Sequence, residues 1–149
     1  MIDLAAFYDK RIHFIGIGGC SMSGLAQILH NLGYTVSGSD ARDSAFTRIL
    51  LDRGIPVQIG HDASLVEGAG LVVYTAAIKP TNPEYDYAVR HGIPMLERSK
   101  LLGLISRDYK KAICVSGCHG KTTITSMLAL ITEDSGINPT IHVGGWWTF

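Results

Sequence analysis

Two glycine-bearing stretches of this chain carry residue types suited to holding phosphate. The first, Gly16-Ile17-Gly18-Gly19-Cys20-Ser21, follows a β-branched run and precedes an amphipathic one. At such a strand-to-helix junction glycine lets the backbone turn tightly and approach a diphosphate, while free N–H groups at the helix N-terminus hold its charge. A full G-x-G-x-x-G places its third glycine where this chain has Ser21. Asp40 lies 24 residues after Gly16, about where a ribose- or base-reading carboxylate falls. The plainer alternative is a tight turn with Asp40 capping a helix. The second stretch, Val115-Ser116-Gly117-Cys118-His119-Gly120-Lys121-Thr122-Thr123, supplies the G-K-T end of a Walker A loop. Its first glycine position holds Val115, and Gly117 provides flexibility two residues later. Backbone N–H groups from Gly117 to Thr122 would wrap phosphate oxygens, Lys121 would neutralise β- and γ-phosphates, and the Thr122 hydroxyl would take a Mg²⁺ position. An exposed helix-start lysine is the plainer reading of Lys121.

Weaker candidates surround the two loops. His119 lies inside the second loop, where contact with nucleotide and simple solvation are both open. His61 follows Ile59-Gly60 at a strand end, and Thr75-Ala76-Ala77 follows another strand. Ligands bind at such ends in doubly wound sheets. Cys20 and Cys118 stand near helix N-termini, but no His–acid pair is placed to make either a nucleophile, so both read as small loop residues.

These residues need elements to position them, and the pattern supplies alternating strands and helices. Strands are expected over 12–17, 35–37, 57–59, 71–74 and 94–96. Helices are expected over 21–31, 44–53, 83–91 and 99–106, with Gly33 and Gly54 as stops and Pro83 in a first turn. This order implies parallel β-α-β units in an α/β, Rossmann-like sheet. Near 107–110 the composition turns polar and the pattern restarts: a strand over 112–115, a helix over 122–135 and a further strand over 140–143. The expected domains are therefore 1–107, complete, and 108–149, the truncated start of a P-loop unit. Ile124, Met127, Leu128 and Ile131 on one face of its helix would have little sheet to cover them.

Composition bounds the function classes. The 149 residues include 46% hydrophobic and 17% charged residues, enough apolar side chains for a packed core. Thirteen Lys+Arg balance thirteen Asp+Glu, which removes the basic excess a nucleic-acid surface needs. Three cysteines with no framework spacing argue against a disulfide-stapled secreted domain. No apolar run reaches the ~18 residues of a membrane span, and no signal peptide is evident, so the default compartment is cytoplasmic.

The motifs HFIGIGGCSMSGLA at 13–26, VSGSD at 36–40, YTAAI at 74–78, NPE at 82–84 and VSGCHGKTT at 115–123, in this order, resemble the Mur ligases of bacterial cell-wall synthesis. The resemblance extends from about residue 11 to 145. It implies an N-terminal Rossmann-like domain for a UDP-sugar, a central P-loop domain for ATP and Mg²⁺, and a third domain that completes the site. It further implies UDP-N-acetylmuramate and L-alanine as substrates, joined through an acyl phosphate that the amine attacks. By motif, Gly16, Gly18, Gly19, Cys20, Ser21, Asp40, His61, Thr75 and Ala76 would serve the UDP-sugar. Gly117, Cys118, His119, Gly120, Lys121, Thr122 and Thr123 would serve ATP, with Lys121 the catalytic cation and Thr122 at Mg²⁺. Ser21 stands where many members have glycine, and Cys118 where threonine is usual; neither change removes a phosphate-binding N–H. The family's later metal carboxylate, histidine, glutamate and amino-acid-binding domain are absent from these 149 residues, so the expectation is a chain that binds without turnover. The tail, with Trp146 and Trp147, departs from the family pattern and suggests a shifted reading frame. Two other readings stay open: a non-catalytic UDP-sugar or nucleotide-binding module, and, on the first glycine loop alone, an NAD-dependent oxidoreductase. Oligomeric state is not legible.

Overall fold

The structure is a computed structural model that describes residues 2–143; Trp146, Trp147 and the rest of the tail lie outside the described residues. Five strands form one parallel sheet: β1 (Arg11–Ile15), β2 (Thr35–Asp40), β3 (Val57–Ile59), β4 (Ala69–Tyr74) and β5 (Met95–Glu97), in the order β3-β2-β1-β4-β5. The helices are α1 (Cys20–Asn31), α2 (Ala45–Asp52), α3 (Pro83–Arg90), α4 (Arg98–Asp108) and α5 (Lys121–Asp134). Two short 3-10 turns, Leu4–Phe7 and Ala63–Val66, join them.

Side chains alternate across a strand, and here the two faces differ in kind. From β1, Ile12 and Phe14 join Val36, Leu71 and Val73 in a cluster with Leu25, Ala26 and Leu29 of α1, Leu50 of α2, and Leu101 and Ile105 of α4. Burying a side chain such as Phe14 or Leu25 completely is worth ~1.5–3 kcal/mol, so this face holds the sheet and three helices together. The opposite face is apolar only toward β4, where Ile15, Val66, Ala69, Val72 and Ala88 cluster with α3. Toward β2 it carries His13, Ser37 and Ser39, all buried.

Local chemistry sets the helix ends. The Ser44 side chain accepts from Thr47 N in a capping box at α2, and the Asn82 side chain accepts from Glu84 N and Tyr85 N at α3, with Pro83 in its first turn. The helices α1, α2, α3 and α5 stop at glycines of positive φ: Gly33, Gly54, Gly92 and Gly136. In α2 and α3 the next residue's N–H returns to the last turn, Ile55 to Leu50 O and Ile93 to Ala88 O, and Pro56 or Pro94 then leads into a sheet-edge strand.

Three sequence expectations change. β2 runs through Gly38 and Ser39 to Asp40 rather than ending at residue 37, because Gly38 and Ser39 pair with Phe14 and Ile15 of β1 and residues 38–40 pair with β3; glycine is required at 38, where a Cβ would lie 2.6 Å from Ile17 Cδ1 and 2.7 Å from Phe14 O. The strands expected over 112–115 and 140–143 do not form. A strand needs a neighbour to bond its N–H and C=O groups. Neither segment has one among the described residues, and Ile113 is 71% exposed. The helix expected over 122–135 is present as α5, with Ile124, Met127, Leu130 and Ile131 exposed.

Candidate functional site

The loops that leave β1, β2, β3 and β4 gather at the C-terminal edge of the sheet. In a sheet of this order the connections leaving β1 and β4 run to opposite faces, and the crevice opened between them is the usual ligand position. The glycine loop is stapled to its neighbour: Gly16 N and Ile17 N both donate to Ser39 O, at 2.8 and 2.9 Å. Gly18 N donates to Asp40 Oδ2 at 2.8 Å, and Arg42 N donates to Oδ1 at 3.1 Å. A Cβ on Gly18 would meet Asp40 Oδ2 at 2.9 Å and Thr47 Cγ2 at 2.8 Å. Asp40 is thus held against the loop by backbone donors, and Gly18 makes room for it.

Thr75 and Ala76 sit in the turn after β4, where Ile78 N donates to Thr75 O and the Thr75 methyl lies beside Gly16. Ser21, in the first turn of α1, accepts from Arg98 Nη1 at 3.0 Å and bonds His142 Nε2 at 3.0 Å. Arg98 Nη1 donates to the hydroxyl oxygen, and a neutral His142 ring lets the hydroxyl donate its own hydrogen to Nε2. Burial, then the charge of Arg98, holds His142 below its ordinary pKa.

Below this edge, on the polar half of the second sheet face, lies a buried network. Glu84, from the first turn of α3, receives His13 Nε2 at 2.7 Å and Ser39 Oγ at 2.9 Å on Oε2, and His61 Nδ1 at 2.7 Å on Oε1. Burial pushes the Glu84 carboxyl up, but the hydrogen bonds from His13, Ser39 and His61 outweigh it and hold it below the usual range. Arg11 Nη1 closes the far end, donating to Ser37 Oγ at 2.8 Å and to Leu65 O at 2.9 Å.

The second loop stands apart in character. Gly117 and Gly120 take positive φ, and Gly120 is the N-cap of α5. Lys121 Nζ donates to Gly117 O and Cys118 O, and residues 117–123 are all exposed. The loop thus brings a lysine, two hydroxyls (Thr122 and Thr123) and the positive end of a 14-residue helix together. Among the described residues no group of three His, Cys, Asp or Glu is placed to hold a metal ion.

Sequence reasoning placed the first glycine loop, Asp40, His61 and Thr75-Ala76 at strand ends of one sheet and missed Glu84, His13, Ser39, Arg98 and His142 as members of the site. An acid in a helix's first turn normally faces water. The available signal was the alternation in Arg11-Ile12-His13-Phe14-Ile15, which turns His13 inward and so demands a partner.

A five-stranded parallel sheet with a glycine loop closed by the carboxylate of the next strand defines a doubly wound, Rossmann-like α/β domain. Residues 11–110 match the Mur ligase family, catalytic domain, and the chain belongs to that family. It is 56% identical over 91% of its length to a UDP-N-acetylmuramate–L-alanine ligase of Acetivibrio thermocellus, and spans 29% of that relative. The structure of UDP-N-acetylmuramate-alanine ligase MurC from Thermotoga maritima superposes with a TM-score of 0.88 at 33% identity, over 93% of this chain and 32% of that one. A UDP-N-acetylmuramate:L-alanyl-gamma-D-glutamyl-meso-diaminopimelate ligase from Neisseria meningitides gives 0.81 at 34% identity, over 87% and 41%.

Proposed function

We propose that this chain supplies the UDP-sugar site and the opening of the ATP site of a ligase that joins L-alanine to UDP-N-acetylmuramate in the cytoplasm, through an ATP-derived acyl phosphate. The observation that carries the reading is the closure of Asp40 onto the Gly16–Gly19 loop at the β1/β4 crevice. Residues 1–107 form the UDP-sugar unit, and 108–149 begin the ATP unit. Gly18, Gly19, Cys20 and Ser21 approach the diphosphate, and Arg98 adds a positive charge beside Ser21. Asp40 and His61 face the nucleoside, with Thr75 and Ala76 flanking Gly16. In the second loop Gly117 to Thr123 wrap the ATP phosphates, with Cys118 and His119 contributing backbone and Lys121 charge.

Mg²⁺ suits this loop. The ion keeps most of its shell as water and phosphate oxygen and takes one or two protein ligands. The exposed Thr122 hydroxyl, two residues past the N-cap Gly120, is a hard oxygen of the right kind. When bound, the ion would neutralise phosphate charge; the chain's own part is to hold the phosphates still. L-alanine as the amine rests on the 56%-identical relative, since the longer-peptide ligase shares the same fold at 34%.

Calorimetric titration of this chain with UDP-N-acetylmuramate, and separately with NADH, tests the reading. Saturable binding of the UDP-sugar without binding of NADH is expected, and the reverse result would remove the proposal.

A further inference from the structure

With both imidazoles neutral, the Glu84 network has only one self-consistent pattern of hydrogens. An ionised carboxylate accepts and never donates, so His13 Nε2, Ser39 Oγ and His61 Nδ1 all give their hydrogens to Glu84. Ser39 has thereby spent its single hydrogen, and its 3.1 Å contact with His61 Nδ1 is a second acceptor for the same ring N–H. Arg11 is donor-only, so Ser37 accepts from it and passes its hydrogen to His13 Nδ1, 3.0 Å away. Both imidazoles are therefore directed, His13 as its Nε2–H form and His61 as its Nδ1–H form.

His61 is the member of the network that reaches the surface: its side chain is 19% exposed, against 2% for His13 and 0% for Glu84. No group among the described residues bonds its Nε2, and no described buried side-chain nitrogen or oxygen lacks a partner, so Nε2 faces solvent. The ring stands on the same sheet edge as Asp40: Ile59 is the register partner of Asp40, and Gly60 N donates to Asp40 O at 2.8 Å.

We propose that Glu84, with Ser39, is a positioning residue that locks His61 as the Nδ1–H tautomer, so that Nε2 meets the nucleoside half of the nucleotide as a ready-made acceptor for a ribose hydroxyl. This rests on the UDP reading above. A diphosphate oxygen has nothing to give a lone pair, whereas a ribose hydroxyl has a hydrogen to donate. The edge thus divides its labour, with donors at the N-terminus of α1 beside Arg98 and acceptors, Asp40 on β2 and His61 just after β3, on the other side.

The test uses the uniformly ¹⁵N-labelled chain, read at the histidine ring nitrogens and the backbone amides. In the free protein His61 should show hydrogen on Nδ1 and a bare Nε2. In Glu84→Gln the amide oxygen must face the two donors His13 and Ser39, which turns the NH₂ toward His61 and moves its hydrogen to Nε2. UDP should bind about tenfold more weakly to Glu84→Gln and to His61→Ala, about the worth of one hydrogen bond, and the double variant no more weakly than His61→Ala. Either 2′-deoxy-UDP or 3′-deoxy-UDP should show the same loss on the unaltered chain and none on His61→Ala. If Glu84→Gln does not fold, the free-state tautomer and the deoxynucleotide comparison decide. An Nε2–H tautomer in the unaltered chain, additive losses, or His61→Ala binding UDP normally would overturn the inference. UDP shifting the Gly16–Gly19 amides while His61 stays silent defeats this inference and leaves the UDP reading standing; no shift anywhere defeats the UDP reading as well.

Discussion

Replacing Glu84 by alanine should cost this domain much of its stability, and the size follows from what is left behind. Two donors lose their acceptor in place: His13 Nε2, on a ring 2% exposed, and the Ser39 hydroxyl, fully buried. His61 is partly exposed and can turn to water. A buried donor without a partner costs ~1–3 kcal/mol, so the pair amounts to about 2–6 kcal/mol, against the 5–15 kcal/mol typical of a whole domain. With a urea slope of ~1–3 kcal/mol/M the midpoint should fall by roughly 1–3 M. Acidity supplies the control. The folded carboxyl titrates below its ordinary value of 4.5, so the unfolded chain binds the proton first as pH falls. The contribution of Glu84 is therefore whole above that value and fades as pH drops through the lower folded one. Urea titrations followed by far-UV circular dichroism, at pH 7 and in successive steps below 4.5, should show the two proteins well separated at pH 7 and converging as acid is added. A gap under about 1 kcal/mol at pH 7, or one that does not close in acid, would refute the assignment of Glu84 as the ionised hub of the network.

Gly18→Ala should weaken UDP binding at least severalfold with a stability loss of ~1–3 kcal/mol, because the new methyl enters space occupied by Asp40 and Thr47; calorimetry with UDP and a thermal melt check both. Lys121→Ala should leave the melting temperature unchanged, the side chain being exposed and bonded only to its own loop, while lowering Mg–ATP affinity at least tenfold; fluorescent-nucleotide titration reads it. The neutral His142 beside Arg98 should hold residues 139–143 against α1 above its ordinary value of 6.5 and release them as pH falls below it. Amide protection of that segment, corrected for intrinsic exchange, should be greater at pH 7.5 than at pH 5.5, and equal protection would remove the role of His142.

The sheet was readable where periodicity spoke plainly. Ile12-His13-Phe14-Ile15, Leu71-Val72-Val73-Tyr74 and the apolar stripe of α1 are local signals, and Gly33, Gly54 and Pro83 mark their ends. The C-terminal half of β2 was not readable, since Gly38 and Ser39 are poor strand formers; pairing with β1 and β3, segments distant in the chain, extends it. Residues 112–115 and 140–143 carry strand-like side chains, but pairing is a property of two segments, and their partners are not among the described residues. Both phosphate-type loops announced themselves through spacing. Glu84 did not, because its partners come from β1, β2 and the loop after β3, and nothing local in Asn82-Pro83-Glu84 says the side chain turns inward.

The two outer strands have a consequence for how the domain behaves in a crowded solution. Each is only three residues long, and each is entered through proline, Pro56 or Pro94, whose carbonyl bonds inward to Gly38 N or Val72 N. A proline has no N–H to offer a newcomer, and so short a ribbon gives an invading chain little to template on. The parallel sheet, open at both sides by topology, is thereby closed to growth by composition, and molecules of this fold can meet edge to edge without fusing into a longer sheet.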